Sequence, residues 1–129
     1  MRAALTAAKA ACRLPVICQM SFSDDGRTIT GTDPASAVIL LDAMGADVIG
    51  ANCSLGPDQL LPIAQTMVRN TNKPVVIQPN AGIPFLDSDG VTRFPLTPED
   101  MRGQCRFLRK RGWNMSGDAA ALRLSISVR

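Results

Sequence analysis

Three short runs of the chain are almost continuously apolar: Leu14 to Met20, Ala46 to Ala51 and Lys73 to Gln78. A strand with one wet face alternates apolar and polar residues, whereas a strand covered on both faces does not. These runs therefore predict buried strands of a parallel sheet. Between them lie segments with helical start signals. In Thr32-Asp33-Pro34 a capping side chain precedes a proline at the first helical position, and the spacing predicts a helix from Ala35 to Met44 that stops at Gly45. Thr97-Pro98-Glu99-Asp100 repeats the device for a helix from Pro98 to Arg111, with Gly112 as its terminator. Acidic residues open that helix and basic ones close it, as the macrodipole favours. A third helix is expected from Pro57 to about Asn70, with Pro62 straining its opening turns.

The resulting order is helix, strand, helix, strand, helix, strand, helix, with a possible further strand start at Trp113 and Asn114. Right-handed crossovers would lay the strands side by side in one parallel sheet with helices outside, which places the chain in the α/β class. Two loops interrupt the rhythm, from Ser23 to Gly31 and from Phe85 to Pro95. Their acidic centres, Asp24-Asp25-Gly26-Arg27 and Asp87-Ser88-Asp89-Gly90, lack the ligand spacing of a calcium hand and read as solvated turns or short hairpins.

Composition narrows the class further. With 129 residues, 46% hydrophobic and 19% charged, the chain can hold one core and is too apolar for a disordered segment. The net charge of +3 is small, and Arg106, Arg109, Lys110 and Arg111 fit the wet side and last turn of one helix rather than a nucleic-acid patch. One Trp, no Tyr and four Phe leave no aromatic interleaving for single-strand binding. Cys12, Cys18, Cys53 and Cys105 are spread without a Cys-x-x-Cys pair, which fits free thiols in a reducing, cytoplasmic compartment. The interrupted apolar stretch near the N-terminus argues against a secretory signal or membrane span. There is no histidine, so Ser-His and Cys-His nucleophile pairs and His-Glu-x-x-His zinc sites are excluded for this chain.

In βα architectures the reactive groups gather at the C-terminal ends of the strands. The three runs deliver Ser21, then Asn52 and Cys53, then Asn80. On pattern alone Cys53 is either a small buried hydrophobe or a functional thiol, and its place at a strand exit favours function modestly. Asn80, between Pro79 and Ala81-Gly82, either presents its amide to a ligand or simply closes a turn.

The residues resemble a known family in combination. Gly31-Thr32-Asp33-Pro34, the run from Gly45 to Cys53 followed by Leu55-Gly56-Pro57, and Gln78-Pro79-Asn80-Ala81-Gly82-Ile83-Pro84 are similar to the homocysteine-binding (homocysteine S-methyltransferase) domain of the methionine synthase type. The resemblance runs from near the N-terminus to about Asn114. It implies a (β/α)8 TIM barrel, of which this chain would be a C-terminal part with three to four βα units. It also implies a zinc ligand at Cys53, homocysteine contacts at Asn52, Asn80 and Ser21, and methyl transfer to the homocysteine sulfur giving methionine. The donor would be methylcobalamin charged from methyltetrahydrofolate, a betaine-like compound or a sulfonium, bound by other segments or modules, and the resemblance is closest to the cobalamin-dependent type. Zinc held by thiolates would leave a position for the homocysteine sulfur, which loses its proton on coordination.

The family supplies its other two zinc ligands from a Cys-Cys pair after the last strand, and this chain has no such pair. After Trp113-Asn114 it reads from Met115 to Arg129 without a cysteine. Regrouping plausible codons by one base turns that stretch into Gly-Gly-Cys-Cys-Gly-Thr-Thr-Pro, so residues 115–129 are expected to be a frameshifted tail and 1–114 the barrel portion. A whole barrel needs ~250 residues and eight strands. A partial one would expose strand edges and an uncovered apolar face, which predicts self-association and an inactive chain on its own. The alternatives are a non-catalytic half-barrel that completes a site with another chain, and an unrelated βα enzyme using Ser21, Asn52 and Asn80 around a phosphate or sugar. No glycine-rich phosphate loop follows any strand to favour the last.

Overall fold

A computed structural model describes residues 1–110. The strand start expected at Trp113 and Asn114 and the tail from Met115 to Arg129 lie outside the described residues. Within them the order is α1 (Arg2–Ala11), β1 (Ile17–Met20), α2 (Pro34–Ala43), β2 (Val48–Asn52), α3 (Pro57–Arg69), β3 (Val75–Gln78), β4 (Phe85–Leu86), β5 (Thr92–Arg93) and α4 (Pro98–Lys110). β1, β2 and β3 form one parallel sheet in sequential order. This mixed α/β arrangement is compatible with part of a βα barrel. The paired strands are shorter than the apolar runs, because Leu14 to Val16 and Lys73 to Pro74 lead into the sheet without joining its ladder.

The helices begin where their caps direct. Asp33 accepts the backbone N–H of Ser36 at 3.0 Å and its hydroxyl at 2.7 Å, and Pro34 follows as the first residue of α2. Thr97 and Asp100 exchange the corresponding bonds at the start of α4. The α3 helix runs straight through Pro62, whose missing N–H removes one intrahelical bond in the second turn without ending the helix. Its buried face, Pro57, Leu60, Ile63, Ala64 and Met67, follows the helical period.

The sheet is covered on one side. Cys18 on β1, Ile49 and Ala51 on β2 and Ile77 on β3 are buried in a core completed by Leu5 of α1, Ala37, Val38 and Leu41 of α2, and the inner face of α3. Alternation sends Ile17, Gln19, Val48, Gly50, Asn52, Val76 and Gln78 to the opposite face. Among the described residues that second face stays open: Ile17 is 56% exposed, and Gln19, Val48, Val76 and Gln78 are only part-buried. Asp47 ties the N-terminal helix to the sheet, accepting the Val16 N–H at 2.8 Å and the Lys9 ammonium at 3.0 Å.

The two irregular loops differ. Residues Phe85 to Arg93 form an antiparallel hairpin, with Asp87 accepting the N–H groups of Asp89 and Val91 and the Arg93 guanidinium. The Ser23 to Gly31 loop is a pair of hydrogen-bonded turns without strand pairing.

Candidate functional site

Parallel strands in register put their C-terminal ends together. Met20 pairs with Ala51 and Asn52 with Gln78, so Ser21, Asn52-Cys53 and the Gln78 to Asn80 segment leave the sheet side by side. At the exit of β2 the backbone makes an unusual turn. Cys53 and Ser54 have φ of +61° and +60°, although neither is glycine. A left-handed conformation costs an L-residue roughly 1–2 kcal/mol, so the surroundings must hold it in place.

Backbone hydrogen bonds do this. The Cys53 N–H donates to the Gln78 carbonyl at 3.0 Å, the Leu55 N–H donates to the Cys53 carbonyl at 2.7 Å, and the Asn80 N–H donates to the Leu55 carbonyl at 2.9 Å. Loop 53–55 and loop 78–80 are thereby clamped to each other. A further bond, from the Leu96 N–H to the Ala81 carbonyl at 3.1 Å, ties in the segment after the hairpin. Gly82, at φ +88°, is packed so closely that a Cβ there would lie 2.5 Å from the Pro95 ring, which explains the glycine.

Three of the four expected site residues are brought together by this geometry. The Asn52 side-chain amide donates to the Cys53 sulfur at 3.1 Å. Asn80 is only 8% exposed, yet no hydrogen bond of its side-chain amide is found among the described residues. Ser21 is exposed at the neighbouring exit, level with Asn52, and no hydrogen bond of its hydroxyl is found there either. The left-handed pair and the reciprocal clamp carried no signal in the sequence, because Cys53 and Ser54 are not residue types that favour positive φ.

The donor set bears on whether a metal fits. Among the described residues no three His, Cys, Asp or Glu side chains lie close enough to share a metal ion. Cys12 is exposed at the end of α1, and Cys18 is buried on the helix-covered face, where desolvation pushes its thiol up from the ordinary value. Among the described residues Cys53 is therefore a single sulfur beside the Asn52 amide. Catalytic zinc normally takes three protein ligands, so the described residues alone do not fit it.

These features sit within a chain whose kinship is clear. The profile of the homocysteine S-methyltransferase family matches residues 1–119, and the chain belongs to that family. Among its relatives, the methionine synthase of Mycobacterium tuberculosis (strain ATCC 25618 / H37Rv) is 30% identical over 88 residues, covering 68% of this chain and 7% of the relative. The methionine synthase of Mycobacterium leprae (strain TN) is 29% identical over 88 residues, with the same shares. The chain thus spans 7% of the length of these curated relatives.

Proposed function

We propose that this chain carries part of a site for methyl transfer to the sulfur of homocysteine, giving methionine. The observation that supports this reading best is the clamp joining the Cys53 and Asn80 loops, in a chain of the homocysteine S-methyltransferase family. In the reaction the homocysteine thiol gives up its proton to solvent, and the thiolate lone pair forms a bond to the methyl carbon. The bond from that carbon to the donor breaks, with its electron pair leaving on the donor. No histidine base is required if the thiol is already ionised when the donor arrives. Asn52, Asn80 and Ser21 are assigned to homocysteine, whose carboxylate and ammonium match amide and hydroxyl groups.

Cys53 is assigned as one zinc ligand, with two more thiolates needed from outside the described residues. One sulfur alone does not hold the ion. Cobalamin and methyltetrahydrofolate would act through other modules. On this reading residues 1–114 are part of a (β/α)8 barrel, residues 115–129 are a frameshifted tail, and the protein is cytoplasmic. Among the described residues no helix is long and apolar enough to cross a membrane.

Zinc analysis after dialysis tests this reading directly. The chain as it stands should retain no stoichiometric zinc. A chain whose reading frame is restored after Asn114 should retain one ion, lost again in Cys53→Ser. Zinc retained by that variant, or none in the restored chain, would refute the assignment of Cys53.

Among the described residues the second sheet face is open and the outer edges of β1 and β3 are unpaired, which favours a second reading, a half-barrel completed by another chain or by self-association. Size-exclusion chromatography with light scattering separates the two, since a strictly monomeric chain at high concentration would count against completion by association.

A further inference from the structure

We infer that Asn52, besides its assigned contact with homocysteine, is a positioning residue that holds the Cys53 sulfur in one orientation. The role rests on the reading of Cys53 as the sulfur of the site.

Simple strand alternation would point Cys53 toward the helix-covered face, with Ile49 and Ala51. The left-handed φ of +61° at Cys53 and +60° at Ser54 breaks that alternation. Its result is that the sulfur lies 3.1 Å from Nδ2 of Asn52, a residue of the open face. The backbone on either side of the sulfur is fixed too, through the Cys53 N–H to the Gln78 carbonyl and the Leu55 N–H to the Cys53 carbonyl. Backbone and side chain are thus both constrained. An amide N–H donates and cannot accept, so the sulfur is the acceptor in this contact.

One donor of the Asn52 amide is thus engaged by its own neighbour, the Cys53 sulfur.

The test uses the full chain and iodoacetamide. Alkylation of each cysteine is followed by peptide mass spectrometry, at a pH high enough that the rate no longer rises. Every exposed thiol is then ionised in every variant, so a rate difference reports orientation and shielding alone. Asn52→Ala should be alkylated at Cys53 about fivefold faster than the parent chain, the factor expected for losing one ordinary hydrogen bond. Cys12 should react equally in both, and Cys18 should stay protected. An unchanged or slower rate at Cys53, with Cys18 still protected, overturns the proposal. Should Asn52→Ala expose Cys18 by unfolding, the side-chain amide NMR signal of Asn52 decides instead, compared between the parent chain and Cys53→Ala. It should move when the sulfur is removed, and a signal that stays in place overturns the proposal. Neither measurement uses homocysteine, a methyl donor or zinc, so its failure is distinct from a failure of the methyl-transfer reading.

Discussion

The close approach of β2 and β3 at Gly50 gives a sharp prediction about what holds the site together. A Cβ built on Gly50 would lie 2.0 Å from the carbonyl oxygen of Val76 and 2.7 Å from its Cγ1 atom. The oxygen belongs to backbone and cannot swing away, so Gly50→Ala must push the two strands apart. That displacement strains the pairs Ile49 with Val75, Gly50 with Val76, Ala51 with Ile77 and Asn52 with Gln78, and beyond them the Cys53 to Gln78 bond. Inserting a methyl into packed structure costs about 1–3 kcal/mol, and a rigid backbone neighbour puts this site at the upper end, about 3 kcal/mol. For a urea slope of ~1.5 kcal/mol per molar, the unfolding midpoint should fall by about 2 M. Gly103→Ala is the matched control. Gly103 lies inside α4 and a Cβ there meets nothing within 4 Å, so the same change should raise stability by about 0.5–1 kcal/mol. Both variants can be followed by far-UV circular dichroism in a urea titration. A Gly50→Ala chain that unfolds at or above the parent midpoint would refute the register and spacing on which the site depends.

Other consequences can be checked in the same way. Leu60 is fully buried on the inner face of α3, so Leu60→Ala should cost about 2–5 kcal/mol, read as loss of the folded signal at low urea. Acid sensitivity should come from carboxylates alone, since the chain has no histidine. The N–H of Ser36 holds Asp33 below its ordinary value, the N–H of Val16 and then Lys9 do so for Asp47, Arg93 for Asp87, and the Thr97 hydroxyl for Asp100. Groups depressed in the folded state stabilise it above their unfolded value, ~3.9, and that stabilisation is lost as pH falls through the lower folded values. Stability should therefore be flat from pH 5 to 8 and decline below about pH 4. Asp47→Asn should flatten that decline, and an unchanged acid limb in this variant would contradict the assignment.

Self-association offers a further reading of the open face. Ile17 at 56% exposure is its most apolar exposed point, and Ile83, Phe85, Leu86 and Val91 add exposed apolar surface around the hairpin. Replacing Ile17 with lysine should reduce concentration-dependent association measured by light scattering if that face carries the contact.

Much of this architecture was legible in the sequence because its causes are local. The apolar runs marked three strands, Asp33-Pro34 and Thr97-Pro98 marked helix starts, and the Asp87 to Gly90 cluster marked a turn that closes a hairpin. Each depends on residues within a few positions of one another. The motifs around Cys53 and Asn80 were also enough to indicate the family to which the chain belongs. What the sequence could not determine depends on residues far apart in the chain. Which face of the sheet the helices cover was settled by packing of Leu5, Leu41 and the α3 face against Cys18, Ile49, Ala51 and Ile77. The left-handed turn at Cys53 and Ser54 is disfavoured by those residues' own preferences and is sustained by carbonyl and N–H groups of Gln78 and Asn80, more than twenty positions away. Local chemistry thus fixed the elements and the candidate residues, whereas only the folded chain could bring the Cys53 sulfur to the Asn52 amide and clamp the Asn80 loop beside it. Side-chain direction at a strand exit follows the backbone dihedrals, and those are set here by hydrogen bonds between strands.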